Sequence, residues 1–274
     1  CTLAPADEAQ FIDAYTGGEE EKSFLLHYHF PPFSVGETGR MGGLNRREIG
    51  HGALAERSIK PVLPDKDDFP YAIRVTSEVM ESNGSTSMAS VCAGTMALLD
   101  AGVPLKRPVA GISVGLVTEM DDSGNIIDYK RLLDIIGSED FFGDMDFKLC
   151  GTAQGVTGFQ LDLKLTGLPI TILNEAIQQA AEARTKVLAV MAEGIEGPAE
   201  ISPHAPRIES IKINPEKIGN VIGPGGKIIK GIQAETGAEI NIEDDGTVRI
   251  YAIKKESLDR ALEMVNNITA EIEL

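Results

Sequence analysis

The stretch FGDMDFKLCGTAQGVTGFQLDLKLTG, residues 142–167, alternates polar and apolar side chains on both sides of a glycine-containing segment. Alternation of this kind has the period of two that a β-strand requires. It predicts an antiparallel hairpin that turns across TAQGVT, residues 152–157. Further strands are predicted at 23–30, 71–80 and 109–120. Helices interrupt this order irregularly, so the chain is predicted to be α+β and not a doubly wound sheet.

The first strand of the hairpin concentrates charge. On a strand over 143–149, Asp144, Asp146 and Lys148 project from one face, and the apolar residues between them project into the core. Asp140 precedes the strand and can fold over the polar face. Carboxylates that converge beside an ammonium group suit Mg²⁺ or Mn²⁺ with a phosphate opposite. A solvated acidic loop is the alternative. Asp162 and Lys164 repeat the spacing, and we expect them on a structural partner strand.

The composition excludes several classes of protein. The 274 residues carry a formal net charge of −17, which argues against nucleic-acid binding through a broad basic surface. Cys1, Cys92 and Cys150 have no zinc-ligand spacing, and three sparse cysteines favour a reducing, cytoplasmic location. No apolar run is long enough to span a membrane. The chain begins at Cys1 without an initiator methionine, so we expect a fragment or a processed product of a longer chain.

A proline-rich segment divides the chain. IEGPAEISPHAP, residues 195–206, has the composition of a linker. Before it, apolar residues recur at helical spacing over 173–192, with one gap at Arg184. We therefore predict a large domain over 1–199, a linker over 200–206 and a small domain over 207–274.

The small domain has the predicted order β-α-α-β-β-α. Asn214 can cap a helix that has Pro215 at its first position. That helix meets Gly223-Pro224-Gly225-Gly226, and a second helix follows over Lys227–Thr236, before Gly237. Glycines allow a sugar-phosphate backbone to approach closely, and Lys227 and Lys230 add positive charge. A plain turn between two helices is the alternative.

Two other segments of the large domain suit phosphate. In ESNGSTSMAS, residues 81–90, hydroxylated residues lead into a helix, and Ser85, Thr86 and Ser87 are natural anion donors. An ordinary helix cap is the alternative there. In GLNRREIGHGALAER, residues 43–57, Arg46 and Arg47 suit phosphodiester oxygens, and His51 follows. The alternative for this segment is a pair of surface arginines beside a buried histidine, without a binding role.

The segment VIGPGGKIIKGIQAETGAEINIEDDG, residues 221–246, resembles the KH domain. The resemblance implies that the GxxG loop holds about four single-stranded nucleotides. Its implied RNA-binding residues are Gly223, Pro224, Gly225, Gly226, Lys227 and Lys230.

The large domain resembles the second RNase PH-like core of the polynucleotide phosphorylase family. The matching motifs are YTGGEEEKSFLLHYHFPPFSVGETGR (15–40), NRREIGHGALAER (45–57), RVTSEVMESNGSTSMASVCAGTMALLDAGVP (74–104) and GDMDFKLCGT (143–152). The resemblance implies catalytic roles for Asp140, Asp146, Lys148 and His51, with the metal, Mg²⁺ or Mn²⁺, at Asp140 and Asp146. It also implies phosphate at Ser85, Thr86 and Ser87, and the RNA 3′ end at Arg46 and Arg47.

The implied activity is phosphate-dependent 3′-to-5′ degradation of single-stranded RNA. Inorganic phosphate replaces water, nucleoside diphosphates are released, and the reaction can run backwards as polymerisation. The implied partners are single-stranded RNA, phosphate, nucleoside diphosphates, a homotrimer and a possible RNA-degradation complex, without DNA or a membrane. The alternatives are a non-catalytic RNA-binding subunit of an exosome-like ring and a metal-dependent nuclease that uses water.

Overall fold

The computed structural model describes residues 1–5, 9–13, 19–40, 42–43, 45–202 and 204–270. Residues 15–18 of the first quoted motif and residues 271–274 of the predicted small domain lie outside this description. The chain forms two compact units. The first contains residues 1–2, 24–69 and 73–201, and the second contains residues 3–23, 70–72 and 202–274. The predicted domain boundaries stay a prediction.

The secondary structure mixes strands and helices throughout. The strands are β1 (Thr2–Pro5), β2 (Gln10–Asp13), β3 (Glu19–Lys22), β4 (Phe24–His29), β5 (Tyr71–Glu78), β6 (Ala110–Met120), β7 (Ile126–Leu133), β8 (Met145–Gly151), β9 (Val156–Leu163), β10 (Arg207–Lys212), β11 (Glu239–Ile242) and β12 (Thr247–Ala252). The helices are α1 (Arg46–Ile59), α2 (Thr86–Asp100), α3 (Gly137–Phe142), α4 (Ile170–Gly194), α5 (Ile218–Ile222), α6 (Lys227–Thr236) and α7 (Lys255–Thr269). Both the α+β class and the hairpin of β8 and β9 are confirmed.

A four-stranded antiparallel sheet organises the first unit. Its strand order is β7-β6-β8-β9. One face packs on α4 through alternate apolar residues of β6 and β8 and through small residues of the helix. These core residues are Ile112, Val114, Leu116, Met145, Phe147, Leu149, Ile172, Ala176, Ala180 and Ala183. The opposite face of β6 and β8 is left to smaller and polar side chains.

Arg184 explains the gap in the apolar stripe of α4. Its side chain is buried, and its Nε donates to the carbonyl of Thr152 at 3.2 Å. Because Thr152 lies in the turn of the β8–β9 hairpin, the arginine holds that turn against the helix. Burial lowers the pKa of the guanidinium from its usual value.

Two further helices and a parallel strand pair complete the first unit. β4 and β5 pair in parallel from Phe24 opposite Ile73 to His29 opposite Glu78. α1 packs on β4, on α2 and on β9, while α2 packs on β6. The N-termini of both helices are therefore held close to the polar face of the four-stranded sheet.

The second unit contains the small domain, whose order β10-α5-α6-β11-β12-α7 agrees with the sequence prediction. Its antiparallel sheet has the order β10-β12-β11. Asn214 accepts from the backbone N–H of Glu216 at 3.0 Å and so caps a 3₁₀ turn, Pro215–Lys217, which leads into α5 where the sequence predicted one continuous helix. Gly237 ends α6 with φ 70°, a left-handed conformation that glycine adopts without steric cost.

No helix within the described ranges combines the length and the apolar character that crossing a membrane requires.

We expect Ile250→Ala to destabilise the second unit by about 2–5 kcal/mol, since it removes a fully buried side chain from the core under α7. Chemical denaturation followed by circular dichroism measures the loss. Ile253→Ala is the matched control: the same change is made three residues away, where the side chain is 75% exposed. The control should stay within about 0.5 kcal/mol of the parent. Equal losses in both variants would contradict the described core.

Candidate active site

A cavity of about 390 Å³ opens on the polar face of the four-stranded sheet. It brings together the start of α1, the loop before α2, helix α3 and strand β8. The predicted site residues that line it are Arg47, His51, Ser85, Thr86, Asp140, Asp146 and Lys148. Segments separated by about a hundred residues therefore converge on one volume.

Strand β8 supplies the floor of this cavity. Asp146 and Lys148 lie two residues apart on one face, and their side chains form an ion pair that is almost entirely buried. Burial raises the pKa of the Asp146 carboxyl, Lys148 opposes that shift, and the charges of Asp140 and Asp162 add to it. Asp146 Oδ1 is buried and has no hydrogen-bond partner among the described residues. One carboxylate oxygen is thus paired and the other is unused.

Asp140 reaches the cavity from α3 and not from an extended loop. Lys164 fixes the position of this helix. Its Nζ donates to the carbonyls of Asp140 at 2.5 Å and Phe141 at 2.9 Å. Lys164 directly follows the second hairpin strand, which ends at Leu163, and it supports α3 without lining the cavity.

Asp144 corrects one expectation. Strand β8 begins at Met145, and the Asp144 carboxylate accepts from the backbone N–H of Thr118 at 2.7 Å and from its hydroxyl at 2.9 Å. The residue therefore ties the strand to β6 and does not line the cavity, because it precedes the regular alternation of β8.

The loop before α2 does not form an ordinary helix cap. Ser85 occupies the cap position with φ 51°, in the left-handed region, and its side chain makes no capping bond. Its hydroxyl instead lies 2.5 Å from the hydroxyl of Ser113 on β6. The first amides of α2 have no acceptor within the helix and suit an anion.

Thr86 and Ser87 differ in their access to the cavity. Thr86 lines it, and its hydroxyl lies 2.7 Å from the hydroxyl of Tyr28. Ser87 is fully buried and does not line it, and its hydroxyl has no partner within the described chain. The side chain of Ser87 is therefore not positioned to contact an anion in this cavity.

Tyr28 joins His51 to this group. His51 Nδ1 lies 3.3 Å from the Tyr28 hydroxyl, and the two rings meet edge to face. Burial lowers the pKa of His51 to about 4, and the positive charges of Lys148 and Arg47 act in the same direction. The imidazole is therefore neutral near pH 7.

The two arginines at the start of α1 differ in their relation to the cavity. Arg47 lines the cavity, and its guanidinium lies 5.3 Å from the centre of the Phe30 ring, a cation–π distance. Arg46 is exposed and is not part of the lining. A reciprocal capping box between Asn45 and Glu48 fixes this helix start.

Hydrogen bonds join the loop before α2, residues 81–85, to the start of α3. Gly137 N–H approaches Asn83, 3.1 Å from the carbonyl and 3.3 Å from Oδ1. Ser113 accepts from the backbone N–H of Ile135 at 3.2 Å while it contacts Ser85. A Cβ added at Gly84 would lie 2.5 Å from the Ile135 carbonyl oxygen, so the two segments pack without space for a side chain.

The donor set fits a divalent cation. Magnesium is commonly held by one or two carboxylates with phosphate and water as the other ligands. Asp140 and Asp146 line the same cavity, and the unpartnered Oδ1 of Asp146 is an available anionic ligand. No group of three or more potential ligands from His, Cys, Asp and Glu occurs among the residues that the structure describes. The fit is therefore to a two-carboxylate site.

The second unit presents the GPGG loop separately. Gly225 and Gly226 both adopt left-handed conformations, with φ of 62° and 73°. A Cβ at Gly223 would lie 2.5 Å from Ile228, so that position requires glycine. Pro224, Gly225, Lys227 and Lys230 are exposed around the loop.

Sequence reasoning missed Tyr28 and Ser113. Tyr28 lies in a predicted strand, and a tyrosine in a strand pattern gives no sign of the partners of its hydroxyl group. Ser113 had a readable signal. In AGISVGL, residues 110–116, small residues alternate with large apolar ones, which indicates one crowded face and one face that leaves space.

The low pKa of His51 is open to direct measurement. We expect its ring carbon NMR shifts, recorded with a chelator present, to titrate with a midpoint of about 4. Lys148→Met should raise that midpoint, because it removes a nearby positive charge. Since the folded pKa lies below the unfolded value, the contribution of His51 to stability is present above about pH 6.5 and decreases as the pH falls towards 4. A parent midpoint near 6.5 would contradict the buried environment.

Two family profiles match the chain. Residues 4–104 match the 3′ exoribonuclease family, domain 1, which is the RNase PH profile. Residues 208–267 match the KH domain.

Curated relatives match the chain over nearly all of its length. The polyribonucleotide nucleotidyltransferase of Akkermansia muciniphila is 70% identical over 273 residues, which cover 100% of this chain and 38% of the relative. Those of Methylacidiphilum infernorum and Opitutus terrae are 62% and 57% identical, over 99% and 97% of this chain and 38% and 37% of the relatives. The chain thus spans less than two fifths of the length of these relatives.

A solved structure agrees with the fold. Rice (Oryza sativa) Rrp46 has a TM-score of 0.51 and 16% identity, over 63% of this chain and 73% of that chain. At that identity the similarity concerns the fold alone, and it confirms the predicted RNase PH-like class. The chain therefore combines an RNase PH segment with a KH domain, and along nearly all of its length it is similar to segments of polyribonucleotide nucleotidyltransferases, which confirms the resemblance seen in its sequence.

Proposed function

We propose that this chain carries the phosphorolytic site of a 3′-to-5′ exoribonuclease that releases nucleoside diphosphates from single-stranded RNA. One observation carries the proposal: the buried Asp146–Lys148 pair, with a free carboxylate oxygen, shares a cavity with the N-terminus of α2. An anion site and a cation site side by side suit the transfer of a nucleotidyl group from the RNA to phosphate. The curated relatives, which carry the name polyribonucleotide nucleotidyltransferase, support the same reaction class.

Inorganic phosphate is the nucleophile in this reaction. One of its oxygens attacks the phosphorus that joins the last nucleotide to the chain, and the 3′ oxygen of the preceding nucleotide leaves. The terminal nucleotide departs as its diphosphate. Ser85, Thr86 and the Ser87 backbone amide hold the attacking phosphate, while Arg47 and Lys148 face the charge that develops on the transferred group. Arg46, exposed beside Arg47, contacts the RNA further from the reacting bond.

His51 acts as a neutral hydrogen-bond donor. Its pKa of about 4 leaves the ring uncharged near pH 7. When Thr86 donates to Tyr28 and Tyr28 donates to Nδ1, the imidazole carries its proton on Nε2. Nε2–H can then donate to a phosphate oxygen. Tyr28 sets this tautomer and so acts as a positioning residue.

Asp140 and Asp146 hold the divalent cation, Mg²⁺ or Mn²⁺. Bound there, the cation supplies charge stabilisation to the phosphoryl oxygens. Lys148 opposes the rise in the Asp146 pKa that burial causes, and so favours the carboxylate form that a cation requires.

The KH domain binds the single-stranded RNA that feeds the site. Its exposed GPGG loop and the two lysines after it suit a sugar-phosphate backbone. Assembly as a homotrimer, participation in an RNA-degradation complex and a cytoplasmic location stay predictions from the resemblance and from the sparse cysteines. The full set of polar groups in the cavity favours a catalytic role over that of a non-catalytic ring subunit.

Product analysis tests the reaction. The protein is incubated with single-stranded oligoadenylate and Mg²⁺, with and without phosphate, and the products are separated. We expect ADP only when phosphate is present. AMP would indicate hydrolysis by water, and RNA binding without any product would favour the ring-subunit alternative.

Asp146→Asn should lower ADP release by about 10²–10³-fold, because it removes the charge that holds the cation and pairs with Lys148. Oligoadenylate affinity should change little. Asp162→Asn makes the same change directly across the sheet, on an exposed residue outside the cavity lining, and should retain most of the rate. Full activity in Asp146→Asn would contradict the assignment of Asp146 as a metal ligand.

Replacing both Gly225 and Gly226 with aspartate should weaken single-stranded RNA binding roughly tenfold, about 1.4 kcal/mol. Two carboxylates would repel phosphate at the point where the glycines allow close approach. Fluorescence anisotropy with a labelled oligoadenylate measures the change.

The control is the same double replacement with asparagine. Asparagine tolerates the left-handed conformation as aspartate does, but it is neutral. A larger loss of RNA affinity in the aspartate variant than in the asparagine variant would measure the effect of the added negative charge. Unchanged affinity in the aspartate variant would overturn the assignment of the loop to RNA.

A further inference from the structure

Two adjacent phenylalanines stand in solvent on α3. Phe141 and Phe142 are 75% and 80% exposed. Their ring centres are 4.9 Å apart, and the planes meet at 86°. Exposed large apolar groups in contiguous patches mark interaction sites more often than isolated ones do. The pair is therefore a candidate contact surface for a ligand with an apolar face.

Phe141 lies at the cavity itself. It is part of the lining together with Asp140, Asp146 and Lys148, whereas Phe142 is not. Its backbone carbonyl is held by Lys164 at 2.9 Å, and the preceding carbonyl by the same ammonium group. The backbone that carries the Phe141 ring is thus held in place beside the proposed phosphate site.

The geometry restricts what Phe141 can contact. A nucleotide whose phosphate lies among Asp146, Lys148 and Arg47 carries its base one ribose away. Every nucleobase has a π face, and stacking on an aromatic ring accepts any base. Two other aromatic rings line the cavity, but Phe30 is buried and His51 is part-buried. Phe141 is therefore the most exposed aromatic ring in the described lining.

We propose that Phe141 stacks on the base of the 3′-terminal nucleotide of the RNA and on the base of the released nucleoside diphosphate. The inference rests on the proposed function, which supplies the phosphate position. It makes Phe141 a substrate-positioning residue that binds all four bases. Phe142 packs edge-on against it and does not contact the base.

Binding of ADP and of pyrophosphate, measured by isothermal titration calorimetry with Mg²⁺ present, tests the proposal. Pyrophosphate has the phosphates without the base. We expect Phe141→Leu to weaken ADP about 10-fold and to leave pyrophosphate within twofold, because leucine keeps apolar volume but lacks the π face. Phe141→Trp should restore ADP affinity. Phe142→Leu, the same change one residue along, should alter ADP affinity by less than twofold.

Two results would overturn the stacking role. Equal losses for ADP and pyrophosphate in Phe141→Leu would mean that the ring positions the phosphate groups. Unchanged ADP affinity, with a changed oligomeric state in sedimentation, would make the pair a protein-docking surface. The reaction is judged separately from these measurements. A parent chain that binds ADP through Phe141 but releases no ADP from RNA would retain the stacking role and contradict phosphorolysis.

Discussion

The ion pair between Lys148 and Asp146 sits at the centre of the four-stranded sheet, almost out of contact with water. Removing two charges from water costs several kcal/mol per ion, which their attraction must offset. The strand period places both charges on one face and the apolar residues of β8 on the face that meets α4. The arrangement leaves one oxygen of Asp146 unpartnered within the described chain. Folding therefore leaves an incompletely satisfied anion at the bottom of the cavity.

The remaining groups of the cavity are tied to this floor by a few short contacts. Ser113 lies on β6 opposite Lys148. Its hydroxyl group contacts Ser85 of the loop before α2 and accepts a hydrogen bond from the backbone N–H of Ile135. Lys164, the residue after β9, holds the end of α3. The loop before α2 and helix α3 are thus both held by residues of the sheet or next to it. Their relative position is set by the sheet and not by the loops alone.

Much of this was accessible from the sequence because period and turn chemistry are local. The hairpin, the β-α-α-β-β-α order and the ends of α6 followed from alternation, glycine and capping residues. The pairing of Asp146 with Lys148 on one face followed from the same alternation. The diversion of Asp144 to Thr118, the burial of Ser87 and the role of Tyr28 did not follow, since each depends on a partner distant in the chain. Arg184 looked like a defect in a stripe because its acceptor lies in the hairpin turn.

Gly115 lies directly opposite Asp146 on β6. A Cβ added there would come 2.5 Å from the side chain of Ile135, which precedes the helix that carries Asp140. The apolar face of β6 that meets α4 would be untouched by such a change. The position of the segment before α3 and the packing of the sheet on α4 are therefore separable. In an evolutionary lineage, one added methyl group at this position would displace that segment and alter the proposed site while the face of the sheet that packs on its helix stayed unchanged.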